Sequence, residues 1–121
     1  MRIISFSKKW DKLSQPEFTT FRYPRVDKDW YVGETVQVFY KNRSPSREKL
    51  GIAEIIGKDE RELDPFFTDG KLVEPIGVPL TTEEEAVADG FSNGLEGMVA
   101  YMEKQYGLDY IKFNKLTLRW L

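Results

Sequence analysis

The stretch Phe18-Thr19-Thr20-Phe21-Arg22-Tyr23-Pro24-Arg25 sets two hydroxyls and two guanidinium groups among aromatic rings, and a basic segment, Lys41-Asn42-Arg43-Ser44-Pro45-Ser46-Arg47-Glu48-Lys49, follows it. Arginine donates planar, charge-assisted hydrogen bonds that suit a phosphate or a base edge, and threonine adds an orienting hydroxyl. Arg22, Arg25, Thr19 and Thr20 are therefore candidate ligand contacts. Tyr23, Trp30 and Tyr40 offer faces on which an unpaired base stacks, an interaction worth about 1–3 kcal/mol per base. Lys41, Arg43, Arg47 and Lys49 keep their segment positive after Glu48 is counted, which suits a phosphate backbone. Each residue also has a structural reading. Arg22 can pair with Glu54 or Asp89, an aromatic at an alternating strand position more often belongs to a core, and the basic segment doubles as a solvated turn.

What the chain lacks narrows the chemistry further. It contains no cysteine and no histidine, which removes disulfides, thiolate catalysis, the commonest metal ligand and the usual general base at neutral pH. Any catalysis falls to Asp, Glu, Lys, Arg, Tyr, Ser or Thr. Glu83-Glu84-Glu85 is the one run suggesting a metal, but consecutive helical side chains diverge and cannot jointly hold an ion. No tightly bound metal and no cofactor are expected. The net charge of −2 conceals an asymmetry: residues 1–50 carry eleven Lys/Arg against six Asp/Glu, and residues 51–121 carry seven against fourteen. Binding responds to the local field, so an anionic ligand is compatible with the acidic total.

These side chains need a scaffold. A chain of 121 residues supports one core, so residues 1–121 are read as a single domain. No run approaches a bilayer span or the apolar region of a secretory signal, which implies a cytoplasmic protein with no membrane partner. Arg2 to Phe6, Phe18 to Tyr23, Thr35 to Tyr40, Leu50 to Ile56 and Tyr110 to Leu121 read as strands, rich in β-branched and aromatic residues. Alternation puts Phe18, Thr20 and Arg22 on one face of their strand, and Thr19, Phe21 and Tyr23 on the other. The same rule groups Val36, Val38 and Tyr40, then Ile52 and Ile56. Lys8 to Leu13 suits a helical turn that Pro16 stops. Thr82-Glu83-Glu84-Glu85 fits a capping box, predicting a helix from Glu83 to about Ala88 that closes near Gly90. A second helix begins near Asn93, carries Leu95, Val99 and Met102, and ends at Gly107. Asp59 to Glu62 reads as the solvated end of a strand. The fold class is α+β: a small antiparallel β-barrel of five or six strands with two or three short helices beside it.

Together, Thr20-Phe21-Arg22 after an N-terminal strand, the Val32-Gly33-Glu34 turn before Val36-Gln37-Val38, Gly51 to Ile55, Leu80 to Gly90 and a helix ending in Tyr106-Gly107 resemble the ASCH family of the PUA-like superfamily. The resemblance covers nearly the whole chain. It implies a compact β-barrel with helices packed beside it, and a cleft between the T-x-R strand and the helical segment that holds RNA or a nucleotide. Some similar proteins deacylate an acetylated cytidine, using a lysine, a threonine and a downstream acid, and others are associated with RNA cleavage. Carried over by motif, the threonine falls on Thr20, the arginine on Arg22 and the acid on Asp89. The lysine falls on Glu17, a departure that reverses the charge of the group expected to activate a hydroxyl or water.

Three function classes follow. The first is an RNA-binding or modified-nucleotide-binding module using Arg22, Arg25, Thr19, Thr20, Tyr23, Tyr40, Lys41, Arg43 and Arg47. The second is a metal-independent amidohydrolase or ribonuclease acting through Asp89, Thr20 and Glu17. The third is a protein interaction module with an aromatic surface.

Overall fold

In the computed structural model, which describes residues 1–63, 81–106 and 111–121, the alternating runs form five strands. These are β1 (Ile3–Phe6), β2 (Glu17–Arg22), β3 (Thr35–Tyr40), β4 (Glu48–Leu63) and β5 (Ile111–Trp120), with helices α1 (Glu83–Ala88) and α2 (Gly94–Tyr106). A 3-10 turn, Asp11–Ser14, precedes β2 where the helical turn was expected. The expected end of α2 at Gly107 lies outside the described residues.

The strands make one curled sheet in the order β1-β3-β4-β5-β2, a half-barrel whose edges are β1 and β2. Curling brings the edge-strand rings of Phe6 and Phe18 to 6.2 Å across the interior. The sheet is mixed rather than antiparallel, because β1 runs parallel to β3, with Ile4 opposite Val38. This pairing joins strands separated by β2 and a long connection, so no hairpin turn in the sequence announces it.

Two apolar clusters pack on opposite faces of the sheet. Ile4, Phe6, Phe18, Trp30, Val36, Val38, Ala53, Ile55, Leu116 and Leu118 fill the interior. Phe21, Ala86, Phe91, Leu95, Met98, Met102 and Phe113 form a second cluster under α1 and α2. Strand β2 separates them as its alternation predicts, with Phe18 inside and Phe21 beneath the helices. On β4 the buried side chains are Ala53 and Ile55, while Ile52 and Ile56 are only half-buried. Apolar residues occur there at both parities, so pairing decides the face: Ala53 lies opposite Val36 and Ile55 opposite Leu118. Register shifts between Val38 and Phe39, and between Ile55 and Gly57, put Leu50 and Ile56 at irregularities.

The segment between β2 and β3 is fastened by charge. Arg2 meets the buried Glu34 at 2.5 Å and donates to the backbone oxygens of Lys28 and Asp29. Asp29 accepts from Lys58 at 2.9 Å, from the Asn114 amide and from the Arg25 and Trp30 N–H groups. Partial burial opposes ionisation there, but these donors prevail and hold the Asp29 carboxyl well below the usual carboxylate range. Among the described residues no helix is long and apolar enough to cross a membrane.

Candidate functional site

The two sheet edges do not close on each other, and a cavity of about 520 Å³ opens where they part. Five pieces of chain build it: the end of β1 (Ser5, Phe6 and Ser7), the 3-10 region (Trp10 and Lys12), the end of β2 (Thr20, Phe21 and Arg22), the turn after β3 (residues 41–44), and the helical layer (Asp89, Phe91, Tyr101 and Met102). Each wall has a local cause. The capping box at Thr82, with Glu85 bonded back to the cap, starts α1 and delivers Asp89 as its C-terminal cap. Gly90 follows with a φ of +118° and lies against the Trp10 indole, where a Cβ would stand 2.6 Å from Cε3. Only glycine allows that backbone conformation and that close approach together. The Trp10 ring then meets Phe91 at 5.2 Å and Tyr101 at 6.0 Å, forming one aromatic wall.

On the floor, Asp89 accepts hydrogen bonds from Lys12 Nζ and from the Thr19 hydroxyl, each at 3.0 Å. Both charged side chains are nearly buried, at 8% and 6% exposure, which makes this a desolvated ion pair rather than a surface contact. Burial pushes the Lys12 amine below the usual lysine range, although the Asp89 charge opposes the shift. Burial likewise pushes the Asp89 carboxyl up, against the pull of Lys12, Thr19 and Arg22. The pair is thus moved toward the chemistry of proton exchange. Beside it, Arg22 Nε donates to the Thr20 hydroxyl at 3.0 Å, and the guanidinium lies 4.7 Å from the Phe6 ring. Thr20 is buried.

The sequence-derived candidates divide. Thr20, Arg22, Lys41, Arg43 and Asp89 line the same cavity, and Thr19 supports it through Asp89. Glu17 does not join them: it is exposed at the start of β2, opposite Arg119. Arg25 is exposed and lies near Asp27 at 3.5 Å. Tyr23 packs on Phe113 with ring centroids 5.0 Å apart. The Lys9 and Lys41 ammonium groups lie 5.0 and 5.3 Å from the centre of the Tyr40 ring, and the Arg47 guanidinium lies 4.7 Å from that of Phe39. The basic segment therefore splits, with residues 41–44 at the cavity and only Glu48 and Lys49 on β4. Sequence reasoning missed Lys12, Trp10, Ser5, Ser7 and Phe91 as site residues. The one signal for Lys12 was its place in a helical turn stopped by Pro16, which says nothing about a partner seventy-seven positions away.

Glu83 and Glu85 have structural tasks, so the acidic run is explained without an ion. Glu83 accepts from the Leu95 N–H at the start of α2, and Glu85 binds Arg61 and Lys115 besides closing the cap. Comparison with protein-family models, with curated proteins and with solved structures gave no match, so the reading of this site rests on its geometry.

Proposed function

We propose that the cavity recognises a nucleotide, free or within single-stranded RNA, and that the chain is a PUA-like domain of the ASCH kind. One observation carries this reading: a cavity of about 520 Å³ lined both by aromatic rings and by arginine and lysine side chains. That volume lies within the roughly 300–1,000 Å³ of small-molecule sites. Trp10, Phe21, Phe91 and Tyr101 suit a planar base, while Arg22, Lys41 and Arg43 suit its polar edges and its phosphate. The test is a titration of short single-stranded RNA against wild type and Arg22→Ala at low and physiological salt, with the RNA run on a gel afterwards. Saturable binding that the substitution weakens by at least about tenfold is expected. Unchanged binding by Arg22→Ala would remove the cavity from the interaction.

A second reading, hydrolysis of an acylated nucleoside such as N4-acetylcytidine, draws support from the Lys12–Asp89 pair. The resemblance calls for a lysine acting with the threonine and the acid, and Lys12, on the 3-10 turn, lies 3.0 Å from the acid Asp89. In its uncharged form Lys12 takes the proton of an attacking water. The acyl C–N bond then breaks, and the proton passes to the leaving nitrogen, yielding a carboxylic acid and the free amine. Release of acetate from acetylcytidine, lost in Lys12→Met, would favour this reading; cleaved RNA on the gel would favour a ribonuclease.

A further inference from the structure

We infer that the base is read by main chain rather than by side chain: its donor–acceptor edge pairs with the N–H and C=O of Ser5, on the free edge of β1, where a neighbouring strand would otherwise lie. The inference rests on the nucleotide reading above and deepens it, since it assigns the group that recognises the base.

Register fixes which way the edge residues face. In the parallel pair of β1 with β3, the Gln37 N–H donates to the Arg2 carbonyl and the Lys41 N–H to the Phe6 carbonyl, each at 2.9 Å. Bonding residues alternate along a strand, so Arg2, Ile4 and Phe6 turn their main chain toward β3, and Ser5 turns both its N–H and its C=O away from it. At the opposite edge the Trp120 N–H donates to the Pro16 carbonyl. The same alternation then commits Phe18, Thr20 and Arg22 to β5 and turns Thr19 and Phe21 outward. The two edges are not paired with each other. Among the described residues, no backbone hydrogen bond reaches the outward groups of Ser5 or Phe21.

These edges border the cavity. Two outward residues of the β1 side, Ser5 and Ser7, line it, against Phe21 alone from β2. Ser5 is also held in place, because its hydroxyl accepts the Asn42 N–H at 3.1 Å and the adjoining Phe6 carbonyl accepts from Lys41. A strand residue presents its N–H and C=O on one side, a pattern that matches the adjacent donor and acceptor of a base, such as N6–H₂ and N1 of adenine or N3–H and O4 of uracil. One edge residue suffices for a base. An added peptide strand binds through a row of such bonds, and β1, with four residues, offers little ladder for one. The rings of Trp10, Phe91 and Tyr101 suit the faces of any base, and the strand edge supplies the hydrogen-bonding pattern that rings lack.

Isothermal titration of the full chain with the four ribonucleoside 5′-monophosphates and their homotrinucleotides identifies the preferred base. That base is then compared with a counterpart blocked on its pairing edge: 3-methyluridine, 1-methylguanosine, N6,N6-dimethyladenosine or N4,N4-dimethylcytidine, in the same phosphorylated form. The blocked form should bind at least about tenfold more weakly, the scale of a lost hydrogen bond that strands its partner. Ser5→Pro removes the outward N–H and no bond between β1 and β3, a change that edge strands accept. It should abolish most of the discrimination, whereas Ser5→Ala, which loses the same hydroxyl but keeps the N–H, should preserve it. Thermal melting reports whether both variants fold. Should Ser5→Pro fail to fold, Ser5→Ala, Asn42→Ala and Arg22→Ala decide: discrimination kept in all three supports a main-chain reader, and its loss in any one overturns it. Equal binding of blocked and unblocked bases, or discrimination that survives in folded Ser5→Pro, overturns the inference and leaves the nucleotide reading standing. No binding by any of these probes overturns it together with the nucleotide reading.

Discussion

At the scale of single residues, the Lys12–Asp89 pair sets the character of the site. A buried ion pair adds little net stability, because desolvation offsets the attraction, but removing one partner leaves the other charge stranded. Lys12→Met should therefore destabilise the fold at neutral pH by about 3–5 kcal/mol, and Lys12→Met combined with Asp89→Leu should recover most of that loss. Urea unfolding of the two variants checks this. The pH dependence has a definite sign. Burial already raises the Asp89 pKa above its ordinary value, and losing Lys12 raises it further. The cost of Lys12→Met should thus shrink as the pH falls through the folded-state pKa of Asp89 and the stranded carboxylate takes up a proton. A constant cost across that window would mean that Lys12 matters for packing rather than for charge.

Among elements, α1 has the most to coordinate in the fewest residues. Six residues are too few for a stable isolated helix, so external bonds hold it. Glu85 provides them: it closes the capping box through the Thr82 N–H, meets Arg61 of β4 at 3.0 Å and Lys115 of β5 at 2.7 Å. Burial works against its charge, yet Lys115, the Thr82 N–H and Arg61 prevail and lower its pKa. A carboxylate with a depressed folded-state pKa stabilises above its unfolded pKa, and that contribution disappears as the pH falls through the folded value. Glu85→Gln should cost about 1–2 kcal/mol near neutrality after solvent screening, and progressively less on acidification below the ordinary glutamate range. Because α1 delivers Asp89 and Gly90, the same substitution should weaken ligand binding while the sheet persists. Thermal melting at several pH values, with amide exchange on α1, measures both effects.

For the molecule as a whole, the arrangement of charge matters more than its total. The net charge is −2, yet cations collect at the cavity. The expected backbone track through Lys41, Arg43, Arg47 and Lys49 is interrupted, since Arg47 covers Phe39 and Lys49 lies on β4. With two rim cations facing a single-stranded ligand, log K should fall against log salt with a slope of about −1.4. An extended track of phosphate contacts would give a slope several times steeper. Fluorescence titration over a range of salt, with a short RNA, separates the two. A steep slope would move the interface outside the cavity.

Much of the architecture was legible locally. The limits of α1, the strand alternation across Phe18 to Arg22 and the β3 run from Thr35 to Tyr40 each depend on residues within a few positions, where capping, periodicity and β-propensity act directly. Thr20, Arg22, Lys41, Arg43 and Asp89 were also recognisable as chemistry-bearing residues before any fold was known. What local signals do not encode is which remote segments meet. The parallel pairing of β1 with β3, the inward face of β4 and the meeting of Lys12 with Asp89 are decided by chain crossover and burial, terms that connect residues far apart in sequence. The residue types and their local periods were thus determined by the sequence. The tertiary structure alone decided that the amine beside the acid is Lys12 rather than a group at Glu17, because only curling of the sheet brings the 3-10 turn under the end of α1 and excludes water from both charges.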